Sequence, residues 1–276
     1  MPELPEVEVI CRGIRPHLLG RTVTAIHTSG KELRRPVPLD LLRREMLGRP
    51  ITFVSRRAKY LQIGLEGGAR LIIHLGMTGN LGFFPPDSQA AKHDHVRWTL
   101  DNNSELRYND SRRFGSIIIC GSDEIAGLET SVFQTTGPEP FSDQFSSEYL
   151  QRLAKGKEVA VKVFIMNTRV VAGIGNIYAG ESLFRAGILP TRKVRTLSGK
   201  EWLKLITAIR EILEEAIACG GSTINNFLNA SQEKGYFQVN FKVYGRRGEP
   251  CPTCRTPIEN LRLGGRASYF CPRCQR

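Results

Sequence analysis

The chain has 276 residues, of which 41% are hydrophobic and 24% are charged, as in a folded globular protein and unlike a disordered tail. No apolar run reaches the roughly 20 residues of a membrane span, and the acidic, proline-containing start does not resemble a signal peptide. The net charge of +12 favours nucleic acid as partner, although an anionic membrane surface would attract the same charge. We expect a cytoplasmic protein without a membrane partner.

The first part of the chain has a helix pattern and then a strand pattern. Residues 6–19 carry apolar side chains at intervals of three and four, which predicts an amphipathic helix with Pro5 near its first turn and Gly20 at its end. From Val23 to Cys120 the pattern changes to short apolar or alternating runs, such as Ile51 to Leu65, separated by turn-forming residues. This region predicts an antiparallel β sandwich or barrel.

A change of pattern follows at Gly137-Pro-Glu-Pro140, which predicts a domain boundary because prolines disfavour helix in the residues before them. Helices are expected beyond it. The strongest begins near Ser198, where Ser198 and Glu201 form a capping-box pattern, and ends at Gly220-Gly221. Residues 222–237 are polar and contain glycine, which favours a loop.

Four of the seven cysteines form two Cys-x-x-Cys pairs near the end of the chain, a spacing typical of a zinc ribbon. They are Cys251, Cys254, Cys271 and Cys274. Four thiolates fill a tetrahedral coordination sphere and leave no position for water, so we expect one structural zinc ion. Basic residues outnumber acidic ones in 242–276, which suits a module that binds phosphates.

Several motifs, in order along the whole chain, resemble those of formamidopyrimidine-DNA glycosylase. Besides the zinc ribbon they are Met1-Pro-Glu-Leu-Pro-Glu-Val-Glu8, His74-Leu-Gly-Met-Thr-Gly79, Lys92-His-Asp-His95, Asn109-Asp-Ser-Arg-Arg-Phe-Gly115, Gly173-Ile-Gly-Asn-Ile-Tyr-Ala179 and Gly220-Gly-Ser-Thr223. The resemblance implies a multidomain α+β fold. Residues 1–136 would form an N-terminal β sandwich with its helix, residues 137–237 a helix-two-turns-helix domain with a lesion loop, and residues 238–276 a zinc finger.

The resemblance also implies base-excision repair by a monomer, on duplex DNA that carries an oxidised purine opposite cytosine. After removal of Met1, Pro2 would present a secondary amine that is partly unprotonated at neutral pH. Its attack on sugar C1′ would expel the base and leave an iminium, which permits β- and then δ-elimination. Glu3 is expected to serve as general acid and base. Outside the full motif, a proline and an acid at a helix start are ordinary structural choices.

Reaching C1′ requires the damaged nucleotide to leave the stack, and the resulting void must be filled. Met77, Arg112 and Phe114 match the void-filling residues of the family: an apolar plug, a hydrogen-bonding replacement and a wedge. The Arg112 guanidinium only donates hydrogen bonds, and an orphaned cytosine offers acceptors whereas adenine offers an amino group. This difference accounts for the expected preference for cytosine.

Further DNA contacts follow from the resemblance. Lys59 is expected to contact the phosphate of the lesion and to support catalysis, and Arg266 to hold flanking phosphates. Asn176 falls at the turn before a helix, where backbone donors bind phosphate. The remaining expected contacts are His74, His93, Lys157 and Lys162.

The chain departs from the family pattern at Glu158, where a positive residue is usual, at Asn167, where an acid is usual, and at Val9, in place of threonine. Two other interpretations explain part of the sequence. The related endonuclease VIII type prefers oxidised pyrimidines but would have glycine in place of Leu4 and lack the Arg112 pattern. A non-catalytic zinc-ribbon DNA-binding protein accounts for the charge and the cysteines but not for the N-terminal motif.

Overall fold

A computed structural model describes residues 1–85, 88–124, 127, 132–221 and 241–276. The chain forms two compact units. The first comprises Met1–Gln134 with Cys219–Tyr236, and the second Thr135–Ala218 with Phe237–Arg276. The zinc-finger region therefore lies in the same unit as the helical residues that precede it.

The first helix, α1 (Leu4–Leu18), buries one face in the first unit. The residues on that face are at most 1% exposed and follow the three- and four-residue spacing of an amphipathic helix. They are Val7, Ile10, Ile14 and Leu18. Glu3 is the N-cap, and the Glu6 carboxylate accepts a 2.8 Å hydrogen bond from the Glu3 N–H, as in a capping box. The start of the chain is therefore fixed to a helix with a buried face.

Two four-stranded antiparallel sheets follow α1, with strand orders β1-β6-β7-β5 and β2-β3-β4-β8. Their strands are β1 (Val23–Thr28), β2 (Ile51–Arg57), β3 (Tyr60–Leu65), β4 (Arg70–His74), β5 (Asn80–Phe84), β6 (Asp94–Leu100), β7 (Glu105–Asn109) and β8 (Ser116–Cys120). Helix α2 (Leu39–Met46) lies between β1 and β2 in the chain. Apolar residues of both sheets and of α1 share one buried core, so the predicted β sandwich with an N-terminal helix is confirmed.

The strand registers place two connections between the sheets side by side. The end of β4 lies opposite the start of β8, with His74 opposite Ser116, and the start of β5 lies opposite the end of β7. Residues 75–79 (the 75–79 loop) therefore run from the second sheet to the first. Residues 110–115 (the 110–115 loop) return beside them.

The second unit contains α3 (Ser147–Ala154), α4 (Val161–Ile165), α5 (Asn176–Ala186) and α6 (Gly199–Ala218). The capping box predicted at the start of the long helix is present: Ser198 Oγ accepts from the Glu201 N–H at 3.3 Å, and the Glu201 carboxylate accepts from the Ser198 N–H at 2.8 Å. Within the described ranges, none of these helices is long and apolar enough to cross a bilayer.

The zinc-finger hairpin consists of β9 (Glu259–Leu263) and β10 (Arg266–Phe270). Buried and partly buried hydrogen bonds attach the zinc-finger region to the helices. The Glu181 carboxylate, on α5, accepts from the backbone N–H groups of residues 242–244 at 2.8 to 3.1 Å. Burial raises the pKa of Glu181 although these three donors oppose the shift. Gln275 Nε2 donates to the Ile188 carbonyl at 2.9 Å. These contacts join the zinc-finger region and the helices within the second unit.

Candidate functional site

The amino terminus is the first candidate element. Pro2 is buried and directly precedes the helix N-cap, and Glu3 is only 3% exposed. Glu3 has an extended backbone with φ −102° and ψ −170°. Because the capping box and the buried face of α1 fix this helix, the position of Pro2 and Glu3 is set by the fold.

Lys59 lies in the two-residue turn between β2 and β3, and 8% of its surface is exposed. The preceding residue, Ala58, has φ +53°, a left-handed conformation that alanine rarely adopts. Arg56 holds this turn, since its Nη1 donates to the Ala58 carbonyl at 2.9 Å and its Nε to the Glu8 carboxylate of α1 at 2.9 Å. One guanidinium thus links the helix that follows Pro2 to the turn that carries Lys59.

His74 ends β4, and its ring lies 4.8 Å from that of Tyr60. Burial, followed by the positive charges of Lys59 and Arg34, lowers the pKa of His74 to about 4, so the imidazole is neutral at pH 7. Its Nδ1 accepts from the Gly76 N–H at 3.1 Å. A neutral ring whose Nδ1 accepts carries its proton on Nε2, which makes this nitrogen a hydrogen-bond donor.

The expected void-filling residues lie on the two neighbouring loops, Met77 on the 75–79 loop and Arg112 and Phe114 on the 110–115 loop. Arg112 is exposed, and so is 46% of Phe114. The Arg112 guanidinium carbon lies 4.7 Å from the centre of the Phe114 ring, a cation–π contact. The structure therefore brings together three residues that are up to 37 positions apart in the chain, Met77 to Phe114.

His93 is half-buried, and its carbonyl accepts from the Asp110 N–H at 3.0 Å at the base of the 110–115 loop. Its ring lies 6.3 Å from that of His95. Over the described ranges, the four late cysteines are the only group with three or more close metal ligands, and the histidine pair is not part of one.

Two expected phosphate ligands border the same open cavity in the second unit. Lys157 and Arg266 are both exposed, and with Asn167 they line a cavity of about 420 Å³ between α4 and the zinc-finger hairpin. Asn176 begins α5, and its Nδ2 donates to the Ala267 carbonyl at 3.1 Å. The backbone donors of the first helical turn are the groups that an anion would contact there.

Lys162 differs from what its sequence position suggests. The sequence assigns it to DNA, but the structure buries it, with 1% of its surface exposed. Its Nζ donates to the Ala267 carbonyl at 3.2 Å and to Ser268 Oγ at 2.9 Å, both on β10. This placement favours a structural role, holding the hairpin against α4, over a direct phosphate contact.

Two of the three departures from the family pattern, Glu158 and Asn167, have local polar partners. Glu158 forms ion pairs with Arg195 and, at 3.7 Å, with Lys193. Asn167 Oδ1 accepts from the Arg169 N–H at 3.0 Å. The acid at position 158 is therefore compensated by two cations. The expected lesion loop lies within residues 222–240, outside the described residues.

The four late cysteines fit a zinc ion. Their sulfur atoms all lie within 4.8 Å of one another, and the pairs Cys251–Cys274 and Cys254–Cys271 are 3.9 and 3.4 Å apart. A tetrahedral zinc with bonds of about 2.3 Å requires sulfur atoms about 3.8 Å apart. The donor set and its spacing therefore match a structural Zn²⁺ site without an open position.

Two residues that hold the candidate site in place, Asp110 and Arg56, were given no role in the sequence analysis. Asp110 lies within the recognised Asn109–Gly115 motif, but no periodicity or spacing indicated that its carboxylate would be buried between loops. Arg56 stands next to Arg57 in the sequence, and only the folded structure shows that it pairs with Glu8.

Comparisons with known proteins match all three parts of the chain to one protein family. Residues 1–117 match the formamidopyrimidine-DNA glycosylase N-terminal domain, residues 136–228 its H2TH domain, and residues 248–276 the zinc finger found in FPG and IleRS. The chain is 46% identical to formamidopyrimidine-DNA glycosylase of Vibrio parahaemolyticus and 48% identical to that of Stutzerimonas stutzeri, with complete coverage of both chains in each case.

Solved structures agree with these matches. A Lactococcus lactis FPG mutant in complex with a Fapy-dG containing DNA superposes with a TM-score of 0.91 at 32% identity, and MutM in complex with carbocyclic 8-oxo-G containing DNA with 0.89 at 31%. Each alignment covers all of both chains. From the matching domains, the full-length relatives and the shared fold, the chain belongs to the formamidopyrimidine-DNA glycosylase family.

Proposed function

We propose that this protein excises oxidised purines, both 8-oxoguanine and formamidopyrimidines, from duplex DNA and cleaves the strand with Pro2 as the nucleophile. Family membership supports the glycosylase and lyase activities. The observation that carries the choice of nucleophile is the Pro2-Glu3 pair, which a capping box and a buried helix face hold at the start of α1. The protein acts as a cytoplasmic monomer on chromosomal DNA.

The chemistry starts once Met1 has been removed and the Pro2 nitrogen is free. This nitrogen forms a bond to C1′, and the bond from C1′ to the purine breaks, with the purine leaving as it gains a proton. Opening of the sugar ring, with a proton from Glu3 to the ring oxygen, leaves an iminium. The iminium acidifies C2′–H, and loss of this proton breaks the C3′–O bond. In the resulting unsaturated iminium C4′–H is acidic, and its loss in a second elimination breaks the C5′–O bond. Both phosphates remain on the flanking strands.

Lys59 and His74 support this step from the β sheet. Lys59 places a positive charge in a turn linked to α1 through Arg56. The neutral His74 ring offers its Nε2–H while its Nδ1 is held by a backbone contact. A positive charge and a neutral donor together bind a phosphate oxygen, and the neutral donor does so without the desolvation cost of a second buried charge.

The two loops fill the void that the everted nucleotide leaves. Met77 and Phe114 are the apolar plug and wedge, and Arg112 donates to the acceptors of the orphaned cytosine. His93, at the base of the 110–115 loop, contributes to the same DNA surface. The cation–π contact between Arg112 and Phe114 orients the guanidinium before DNA arrives.

The second unit supplies phosphate contacts that do not depend on base identity. Asn176 and the first turn of α5 bind a phosphate, and Arg266 and Lys157 bind others at the cavity that they share. The zinc ion keeps the hairpin that carries Arg266 folded and takes no part in the reaction.

Borohydride trapping tests the nucleophile. Borohydride reduces the iminium to a stable amine, so wild-type protein should form a covalent adduct with a duplex that contains one 8-oxoguanine opposite cytosine. We expect Pro2→Gly to lose this adduct and Pro36→Gly, a matched change at an exposed loop proline, to retain it. Peptide mapping should place the DNA on Pro2. An adduct of wild-type yield from Pro2→Gly would overturn the assignment.

A further inference from the structure

Asp110 is completely buried at the point where β7 passes into the 110–115 loop, and its carboxylate accepts four hydrogen bonds. Oδ1 accepts from Thr78 Oγ1 at 2.5 Å and from the Arg112 N–H at 3.3 Å. Oδ2 accepts from the Gly115 N–H at 2.9 Å and from the Tyr108 hydroxyl at 3.2 Å. One side chain thus holds both ends of its own loop and the neighbouring 75–79 loop.

The two loops also contact each other directly. Thr78 Oγ1 donates to Asp110 and accepts from the Arg112 N–H at 3.1 Å, so a closed triangle of hydrogen bonds joins them. At Gly76 there is no room for a side chain, because a Cβ there would lie 2.4 Å from the backbone of Phe114 and Gly115. A displacement of one loop would therefore disturb the other.

The backbone of Asp110 is fixed as well. Its carbonyl oxygen lies 3.0 Å from His95 Nε2, and the other ring nitrogen of His95 lies 2.9 Å from Ser29 Oγ. Its N–H donates to the His93 carbonyl at 3.0 Å. A buried carboxylate with this many donors is far more costly to alter than an exposed one, since every donor would lose its acceptor.

We propose that Asp110 is a positioning residue that couples the 75–79 loop to the 110–115 loop, so that Met77, Arg112 and Phe114 enter the duplex as one unit. The inference rests on the proposed function of these three residues. It adds that void filling and the choice of cytosine depend on a buried side chain that is not itself one of the void-filling groups. Weakening the link between the loops should therefore slow excision from duplex DNA and reduce the preference for cytosine over adenine opposite the lesion.

The decisive variant is Thr78→Val, which has nearly the same shape but lacks the hydroxyl that bridges the loops. Asp110→Asn is the stronger companion, because its amide turns a donor toward groups that are themselves donors. Thr24→Val is the matched control, since the Thr24 hydroxyl is on β1 and donates to strand carbonyls of β6. Urea unfolding shows whether each variant is folded.

Three measurements separate a positioning role from a stability role. The first is the single-turnover rate of 8-oxoguanine excision from duplex DNA, and the second is the ratio of that rate with cytosine opposite the lesion to the rate with adenine. The third is the rate of strand cleavage at an abasic site in single-stranded DNA, where there is no void to fill. In Thr78→Val we expect the duplex rate to fall about tenfold more than the single-strand rate, with a reduced cytosine-to-adenine ratio. Thr24→Val should match the wild type in all three.

Equal losses on duplex and single strand, with an unchanged base ratio, would refute the coupling and leave Asp110 a stability residue. Failure of the proposed function would look different, since the wild-type protein itself would then neither excise the lesion nor form the borohydride adduct.

Discussion

Replacing Gly76 with alanine tests how tightly the two loops are packed. Gly76 has φ +62°, and the left-handed conformation would cost an alanine there about 1–2 kcal/mol. Its methyl group would also lie 2.4 Å from the backbone of Phe114 and Gly115, where contacts of about 3.5 Å are normal. The loops would have to separate by about 1 Å, which adds about 1–3 kcal/mol of strain. We expect a total loss of about 3 kcal/mol in the free energy of unfolding.

Gly48→Ala is the matched control. Gly48 has a similar φ of +73°, but no atom lies within 4 Å of its would-be Cβ, so only the conformational cost applies. Urea unfolding of both variants isolates the steric term as the difference between them, and duplex excision should fall in Gly76→Ala alone. Equal losses of stability in the two variants, with equal excision rates, would show that the loops are not in the contact described.

Three further outcomes are expected. Removal of zinc by a chelator should abolish binding to a labelled duplex, measured by fluorescence anisotropy, and added zinc should restore it; unchanged affinity after complete removal would contradict a structural role for the metal. The pKa of His74 is about 4 in the folded protein and about 6.5 in an unfolded chain, so the unfolded state takes up a proton as the pH falls below 6.5. The free energy of unfolding should therefore fall by up to roughly 2 kcal/mol between pH 7 and pH 5. In His74→Gln this loss should be absent, so the urea midpoint of the variant should change less between these two pH values than that of the wild type. Lys162→Met should lower stability by about 1–3 kcal/mol through loss of its bonds to β10, whereas Lys155→Met, at an exposed lysine, should remain within about 0.5 kcal/mol in the same assay.

Elements with a local cause were predictable from the sequence. The helix at the start of the chain followed from its apolar spacing, and the start of the long helix followed from the Ser198–Glu201 capping box, which the structure contains. The zinc site followed from cysteine spacing, because two turns that each supply two ligands suffice to define it. None of these required knowledge of distant residues.

The hairpin that carries Lys59 was not predictable in this way. Residues 51–65 were interpreted as one strand-forming region, and between Arg57 and Tyr60 no glycine or asparagine marks a turn. The turn exists because Ala58 adopts a left-handed conformation, which the Arg56 contact to its carbonyl helps to maintain. A tertiary interaction therefore determines a local structure that propensity disfavours.

Burial of charged residues was the other property that the sequence could not supply. Lys157 and Lys162 lie five positions apart, and in the sequence both look like exposed phosphate ligands. In the structure Lys162 is buried and Lys157 is exposed. The difference arises from β10, which lies more than 100 residues further along the chain and offers Lys162 a carbonyl and a hydroxyl. Charge type alone does not distinguish these two environments.

The position of the three proposed void-filling residues follows from the sheet registers. Because His74 pairs with Ser116 in one sheet and Asn80 with Asn109 in the other, both connections between the sheets leave and enter at the same edge. Each loop is therefore held at its two ends by different sheets, and Asp110 closes the space between them. Under the proposed function, loops anchored in this way lose little conformational entropy when they enter a duplex, so more of the stacking energy is available to hold the nucleotide out of the helix. We therefore expect substitutions at the packed Gly76 or the buried Asp110 to lower stability more than substitutions at the exposed tips of the two loops.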